Sequence, residues 1–181
     1  MITRETGIEG LLIIEPKVYR DERGYFLESY HQERLNALGI SHQFIQDNQS
    51  RSVQDVIRGL HFQKEPYAQT KLVRVTEGTI YDLAVDLREG SDTYGSWFGI
   101  ELSINNHLQL LIPKGFAHGF SVLSEHATIL YKCDTNYHPE SESGIRFDDP
   151  DLNIDWKVDQ SSAIISEKDR VLPYLKEMKN K

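Results

Sequence analysis

The amino-acid sequence predicts an all-β domain, built as a sandwich or a barrel. Short segments rich in β-branched and aromatic residues follow one another, separated by turn residues roughly every 8–12 positions. The sequence does not alternate such strands with long helical patterns, as a parallel sheet would require. The chain has 181 residues, of which 39% are apolar, and this length suits one domain with its own hydrophobic core. We therefore expect residues 1–181 to form a single β-rich domain.

The predicted elements follow the chain from its N-terminus. Short apolar or alternating runs predict strands at 11–15, 25–30, 44–46, 57–62, 71–76, 79–87, 97–103, 108–112, 116–123 and 127–133. Glu77-Gly78 and Asn105-Asn106 each predict a tight hairpin between the flanking strands. Two short helices are expected, one at 32–38 that Gly39 ends and one near 172–179.

The composition excludes several classes of protein. The formal net charge is −8 and no basic run stands out, so binding of nucleic acid through a basic patch is not expected. No apolar run reaches the length of a bilayer span, and the N-terminus lacks a basic-then-apolar signal pattern. The single cysteine, Cys133, excludes an internal disulfide framework. We expect a cytoplasmic protein without membrane association.

Charged residues lie within two of the predicted strands. Arg58 and His61 belong to the stretch RGLHF at 58–62, and Lys71 begins an apolar run. A half-buried strand seldom carries such residues unless an anionic or reactive group lies nearby. Lys71 shares a face with Val73 and could point inward, although a surface lysine fits the pattern equally well. Strict alternation puts Arg58 and His61 on opposite faces, so both can serve one site only if Gly59 forms a bulge or a bend.

Residues 112–120 (IPKGFAHGF) carry a Pro-x-Gly-x-x-His order. This order resembles the later of the two motifs of cupins, which are small double-sheet jelly rolls. In metal-binding cupins that histidine is a ligand, together with a His-x-His pair and a glutamate. The earlier position falls near His61 here, followed by Phe62 and Gln63. Two isolated histidines do not make the ligand set of a transition metal, so no metal is expected, and His118 could equally be a hydrogen-bonded core residue.

Three further polar features are ambiguous when each is considered alone. Tyr131 and Tyr137 fit ordinary packing of strand tyrosines, with the hydroxyl group finding one partner. Cys133 is expected to be a small core residue. The run SEKDR at 166–170 is typical of a solvated helix start or loop.

Taken together, these features resemble the dTDP-4-dehydrorhamnose 3,5-epimerase family, the cupin-fold epimerases of dTDP-L-rhamnose synthesis. Nine ordered blocks carry the resemblance, at 21–26, 46–48, 58–63, 69–74, 85–88, 112–120, 131–133, 148–150 and 166–169. The resemblance implies a double-stranded β-helix, the cupin jelly roll, with a few short peripheral helices. It also implies an isomerase that needs no metal and no redox cofactor.

The resemblance further implies four catalytic residues. The substrate would be a dTDP-linked 4-keto-6-deoxyhexose, whose C4 carbonyl acidifies the hydrogens on C3 and C5. By family analogy His61 is the base and Asp169 orients it. Lys71 would lie at the C4 oxygen, where negative charge develops, and Tyr131 would deliver a proton to the opposite face of the ring.

The nucleotide half of the substrate has its own implied contacts. Arg23 and Arg58 match the family's phosphate-contacting positions, and Tyr137 matches the residue that stacks on thymine. The other matching binding positions are Glu28, Gln46, Asn48, His118, Glu142 and Lys168. Family members are homodimers in which the N-terminal strand of one subunit reaches the site of the other, so Arg23, Phe26 and Glu28 would act in trans.

Two other functions remain open at this point. Relatives with the same catalytic set epimerise C3 alone or C5 alone, and ketoisomerases share the fold. A non-catalytic cupin that only binds sugar is a third class, but it should lack the base or the acid, and His61 and Tyr131 are both present. The sequence favours the double epimerase.

Overall fold

The computed structural model describes residues 1–178 and consists mainly of antiparallel strands. In chain order the strands are β1 (Ile2–Glu5), β2 (Leu12–Glu15), β3 (Val18–Asp21), β4 (Gly24–Leu27), β5 (Gln46–Val53), β6 (Ile57–Gln63), β7 (Lys71–Glu77), β8 (Thr79–Asp86), β9 (Trp97–Ser103), β10 (Gln109–Ile112), β11 (Phe116–Val122), β12 (His126–Cys133) and β13 (Glu142–Gly144). The helices are α1 (Gln32–Ala37), α2 (Glu167–Arg170) and α3 (Leu175–Met178), with a 3₁₀ turn at Pro139–Ser141.

The strands form two larger sheets and one hairpin. A six-stranded sheet has the order β1-β2-β10-β7-β12-β5, and a five-stranded sheet has the order β13-β6-β11-β8-β9. Strands β3 and β4 pair only with each other, as a separate hairpin. The all-β prediction with short peripheral helices is confirmed. Among the described residues, no helix has the length and apolarity needed to cross a membrane.

Two apolar clusters hold the sheets in place. The first fills the space between the sheets, where Val73 and Ile129 of the six-stranded sheet pack with Ile80 and Phe120 of the five-stranded sheet. The second covers the outer face of the five-stranded sheet with the chain after β13. Trp156 is fully buried there and donates its indole N–H to the Phe147 carbonyl at 2.8 Å. This covering layer places α2 against β6.

Both predicted hairpins are wrong. Strand β7 pairs with β10 and β12, whereas β8 pairs with β11 and β9, so Glu77-Gly78 carries the chain from one sheet to the other. Asn105-Asn106 makes the same kind of crossing between β9 and β10. The two strands on either side of each turn therefore belong to different sheets and are not hydrogen-bonded neighbours. Alternation along a strand identifies its buried face but does not identify its neighbour in the sheet.

Several element boundaries also differ from the predictions. The strand predicted at 25–30 ends at Leu27, and the strand predicted at 44–46 is instead β5, which is largely polar (QDNQSRSV). The strands β1, β3 and β13 were missed. The helix at 32–38 is confirmed within one residue, and Gly39 follows it with a positive φ of 82°. The C-terminal helix is Leu175–Met178, and position 179 lies outside the described residues.

Candidate active site

A cavity of about 290 Å³ lies between the two sheets at one end of the sandwich. The strands β5, β7 and β12 of the six-stranded sheet supply one part of its wall, and β6 and β13 of the five-stranded sheet supply another. The lining residues are Gln46, Asn48, His61, Phe62, Gln63, Gln69, Lys71, Tyr131, Tyr137 and Glu142. Seven of the fourteen residues predicted for the site are among them, so the structure gathers half of the predicted set around one cavity.

The bulge expected at Gly59 is present. Opposite β11, His61 pairs with His118 and Arg58 pairs with Phe120, so three steps on β6 match two steps on β11. This extra residue puts Arg58 and His61 on the same face of the strand. Gly59 has a φ of 124°, and a Cβ atom there would lie 2.6 Å from the Cα of Gly119. Only glycine fits this position.

His61 is paired with a buried carboxylate. Its Nε2 lies 2.7 Å from Oδ1 of Asp169, which is only 3% exposed. The second oxygen of Asp169 accepts the Gly59 N–H at 3.3 Å. Burial by itself would raise the pKa of Asp169, but the contacts with His61, Gly59 and Ser166 hold this pKa below its ordinary value. The carboxylate therefore stays ionised and keeps the proton of the imidazole on Nε2, which leaves Nδ1 as the basic nitrogen.

The helix that carries Asp169 is short and capped. Ser166 is its N-cap and accepts the Asp169 N–H through its hydroxyl group at 3.1 Å. Of the two possibilities left open for 166–170, a helix start or a loop, the structure shows the helix start, and this segment is solvated only in part. Lys168 is exposed, whereas Asp169 turns inward to β6.

Lys71 and Tyr131 belong to the sheet opposite His61. The register puts Tyr131 beside Val73 and Cys133 beside Lys71, and both Lys71 and Tyr131 line the cavity. Burial lowers the pKa of Lys71, against the opposing effects of Cys133, Asp82 and Glu142. Burial raises the pKa of Tyr131, so its hydroxyl group keeps its proton at neutral pH. The interior placement of Lys71 is confirmed.

A polar network surrounds Tyr137 at the mouth of the cavity. The Tyr137 hydroxyl group donates to Oε2 of Glu142 at 2.7 Å, and the Tyr137 N–H donates to Oε1 of Gln46 at 3.0 Å. Lys168 forms an ion pair with the same Glu142 oxygen at 2.5 Å. Burial opposes ionisation of Glu142, but Lys168 and Tyr137 leave its pKa below the ordinary value. Gln46 also donates to Asn48 at 3.0 Å.

His118 and Arg58 lie next to the cavity without lining it. His118 is the cross-strand neighbour of His61 and is buried, with Nε2 at 2.7 Å from Oδ1 of Asp82. It is thus a hydrogen-bonded core histidine in its contacts. The Arg58 side chain donates to the Ser52 hydroxyl group at 3.0 Å, and its charge partly offsets the rise in the Tyr131 pKa.

Arg23, Phe26 and Glu28 lie elsewhere in the described part of this chain. Arg23 is bonded to Asp21 in the turn of the β3–β4 hairpin, and its side chain is 84% exposed. Phe26 is 69% exposed and borders a different cavity. Glu28 faces Arg34 at 3.0 Å. The single chain therefore does not bring these three residues to His61.

Sequence reasoning missed four residues at or near the site. Phe62, Gln63 and Gln69 line the cavity, and Asp82 holds His118. The sequence does contain a pattern that could have identified Asp82 as a buried acidic residue, because it shares a strand face with the apolar Ile80 and Ala84. For the two glutamines no pattern distinguishes them from surface residues. Within residues 1–178, no group of three or more His, Cys, Asp or Glu side chains is arranged to hold a metal ion.

Fold and site together define a class, namely a β-sandwich with a histidine–aspartate pair facing a tyrosine and a lysine across a polar cavity. The comparisons with known proteins assign it to a family. The family model described as dTDP-4-dehydrorhamnose 3,5-epimerase matches residues 5–177, so the chain belongs to that family. Its members have a cupin-type jelly roll, which confirms the predicted fold class.

Individual relatives agree with this assignment. The chain is 53% identical to a dTDP-4-dehydrorhamnose 3,5-epimerase of Methanothermobacter thermautotrophicus, over 92% of this chain and 90% of the relative. A crystal structure of a 3,5-epimerase from Legionella pneumophila in complex with dTDP-4-keto-L-rhamnose superposes with a TM-score of 0.92 at 49% identity, covering 97% and 93% of the two chains. A 3-epimerase of Streptomyces niveus is 41% identical over 86% of this chain and 76% of the relative.

Proposed function

We propose that this protein is a dTDP-4-dehydrorhamnose 3,5-epimerase. It converts dTDP-4-dehydro-6-deoxy-D-glucose into dTDP-4-dehydro-L-rhamnose without a cofactor, in the synthesis of dTDP-L-rhamnose. The observation that carries this proposal is the placement of His61 and Tyr131 on opposite sheets that line one cavity. Inversion of a carbon centre needs a base on one side of the sugar ring and an acid on the other.

The first half-reaction is removal of a proton next to the ketone. Nδ1 of His61 takes the proton from C3, and the electrons of the C–H bond form a double bond between C3 and C4. The former carbonyl oxygen then becomes an enolate oxygen. The ammonium group of Lys71 stabilises this negative charge, and because Lys71 is partly buried, water screens the interaction less than it would at the surface. Asp169 stabilises the imidazolium that His61 becomes.

The second half-reaction returns a proton to the other face of the ring. The Tyr131 hydroxyl group protonates C3 and the enolate collapses to the ketone. The phenolate then takes a proton from solvent, and the His61 imidazolium gives its proton to solvent, so both groups return to their starting states. Repetition of these steps at C5 inverts the second centre. The raised pKa of Tyr131 suits this role, since the group must be protonated when the enolate forms.

The nucleotide half of the substrate occupies the mouth of the cavity. Tyr137 offers an aromatic surface for thymine, and Arg58 and Lys168 offer positive charge for the diphosphate. Gln46, Asn48, His118 and Glu142 complete the binding set proposed within one chain. We also propose a homodimer in which Arg23, Phe26 and Glu28 reach the partner's cavity. The exposure of the first two on a hairpin that pairs with neither sheet supports this. The cytoplasmic location expected from the sequence stays a prediction.

The test is incubation with dTDP-4-keto-6-deoxyglucose in heavy water, followed by mass spectrometry and coupling to a 4-ketoreductase. Two incorporated deuterons with formation of dTDP-L-rhamnose are expected. His61→Asn should abolish exchange at both carbons while dTDP still binds. His126→Asn is the matched control, because His126 contacts Glu77 at 2.9 Å and does not line the cavity.

The alternative is an epimerase that inverts one centre. The similarity of this chain to a relative named dTDP-4-dehydrorhamnose 3-epimerase supports this alternative. One deuteron without rhamnose would establish this alternative. No exchange with active control enzymes would contradict both assignments.

A further inference from the structure

Gln63 lies in β6, two residues after His61, and its side-chain amide is hydrogen-bonded to three backbone groups. The residue is 6% exposed. Its Nε2 donates to the Tyr67 carbonyl at 2.8 Å and to the Asn136 carbonyl at 3.4 Å, and its Oε1 accepts the His138 N–H at 2.6 Å. One buried amide thus joins β6 to two connecting segments, 64–70 and 134–138.

These contacts bracket Tyr137 on both sides. Asn136 and His138 are its chain neighbours, so the Gln63 amide fixes the backbone before and after the tyrosine. Tyr137 itself is 49% exposed, and packing therefore contributes little to the position of its ring. Within residues 1–178, the hydrogen bonds that Tyr137 itself makes are those to Gln46 and Glu142 already described.

The segment 64–70 adds further contacts with the same stretch of chain. The ring of Tyr67 stacks on the ring of His138, with their centroids 3.5 Å apart and an interplanar angle of 23°. Gln69 donates to the Thr135 carbonyl at 2.7 Å. The two segments form one unit, and the Gln63 amide adds three hydrogen bonds between this unit and the end of the strand that carries His61.

We propose that Gln63 is a positioning residue that sets the affinity for the nucleobase by holding the ring of Tyr137 in place. The proposal rests on the proposed function, in which Tyr137 stacks on the base. An aromatic surface that is already ordered loses little conformational entropy when its ligand stacks on it. Gln63 contributes to nucleotide binding through Tyr137 and takes no part in proton transfer.

The test compares dTDP binding and turnover in matched variants. Gln63→Met keeps the side-chain length and removes all three hydrogen bonds. We expect the Kd for dTDP, measured by calorimetry, to rise about tenfold, the scale of losing one stacked base. At saturating substrate, kcat should change by less than about twofold, because the contact of His61 with Asp169 is untouched.

A double-mutant cycle separates positioning from a general structural role. In a chain that already carries Tyr137→Ala, Gln63→Met should raise the Kd no further, because the group it positions is gone. Gln160→Met is the matched control, since Gln160 also donates to a backbone carbonyl, that of Ile154 at 3.2 Å, outside the cavity. It should leave the Kd unchanged.

A second variant replaces Gln63→Met if the Gln63→Met protein does not fold. Gln63→Glu keeps an acceptor for the His138 N–H but has no donor for the carbonyls of Tyr67 and Asn136, and we expect the same direction of change. An unchanged Kd in either folded variant, effects that multiply with Tyr137→Ala, or a fall in kcat as large as the rise in Kd would each overturn the proposal. If the wild-type protein binds no dTDP, the proposed function itself is wrong.

Discussion

Replacement of Asp169 by asparagine tests the proposed catalytic pair most directly. The substitution keeps the shape of the side chain but removes the charge that faces Nε2 of His61 at 2.7 Å. A hydrogen bond to a charged group is worth about 1.5–3 kcal/mol. If the full bond is needed only when His61 is an imidazolium, kcat should fall about 10- to 150-fold, since 1.36 kcal/mol corresponds to about a tenfold change in rate. The fall could reach about 10⁴-fold if asparagine also stabilises the wrong tautomer.

The assay is deuterium incorporation from heavy water, measured together with the Kd for dTDP. Asp169→Asn should slow exchange at C3 and C5 alike while the Kd stays within about twofold of the wild-type value. Ser166→Ala is the control, because it removes the cap of the same helix without removing a charge. It should cost about 1 kcal/mol of stability and leave exchange rates nearly unchanged. A loss in kcat below about threefold for Asp169→Asn would refute the pairing argument.

The same substitution has a pH signature in stability. Because the folded-state pKa of Asp169 lies below its ordinary value of 3.8, the ionised carboxylate contributes stability above about pH 4. This contribution is lost as the pH falls through the lowered folded-state pKa. The stability difference between the wild-type protein and Asp169→Asn should therefore be present at pH 7 and shrink in acid, as followed by urea unfolding. A stability difference that does not change with pH would contradict the predicted loss of the Asp169 contribution in acid.

Four further outcomes are expected. Activity should fall as pH rises through a pKa below 10.5, where Lys71 loses the proton that stabilises the enolate, and Lys71→Arg should remove this alkaline limb from the pH–rate profile. Tyr131→Phe should reduce net inversion, measured by rhamnose formation, more than exchange, and equal losses would make Tyr131 structural. Arg23→Ala should raise the Kd for dTDP about tenfold by calorimetry if it contacts phosphate in trans, and an unchanged Kd would exclude that contact. Asp86→Ala should lower the free energy of unfolding by about 3 kcal/mol in denaturant titrations, because it leaves a partly buried guanidinium without its carboxylate. Asp155→Ala, in an exposed pair, should cost far less.

The sequence predicted the strand faces better than the strand partners. Alternation correctly put Lys71 on the face of Val73, because a side chain's face depends only on its position in its own strand. The two predicted hairpins failed since pairing depends on which sheet the next strand joins. The prediction at 44–46 covered only the first residue of β5. The rest of this polar strand was not predicted, because its pairing with β12 and not its own apolar residues accounts for its strand conformation.

The chain by itself determined the identity of the chemical groups and one local distortion. The order RGLHF predicted a bulge or bend at Gly59 on the condition that Arg58 and His61 serve one site, and nine motif blocks predicted the family. The structure shows the bulge and the close approach of Gly119 that only glycine tolerates. The tertiary structure alone decided that Asp169, 108 residues from His61, turns away from solvent, and that Gln63 holds the segment around Tyr137. It also decided that Arg23 and Phe26 lie away from the cavity of their own chain. Such contacts join residues that are distant in sequence, and the packing of the two sheets and their covering layer sets their distances, not any local pattern of residues.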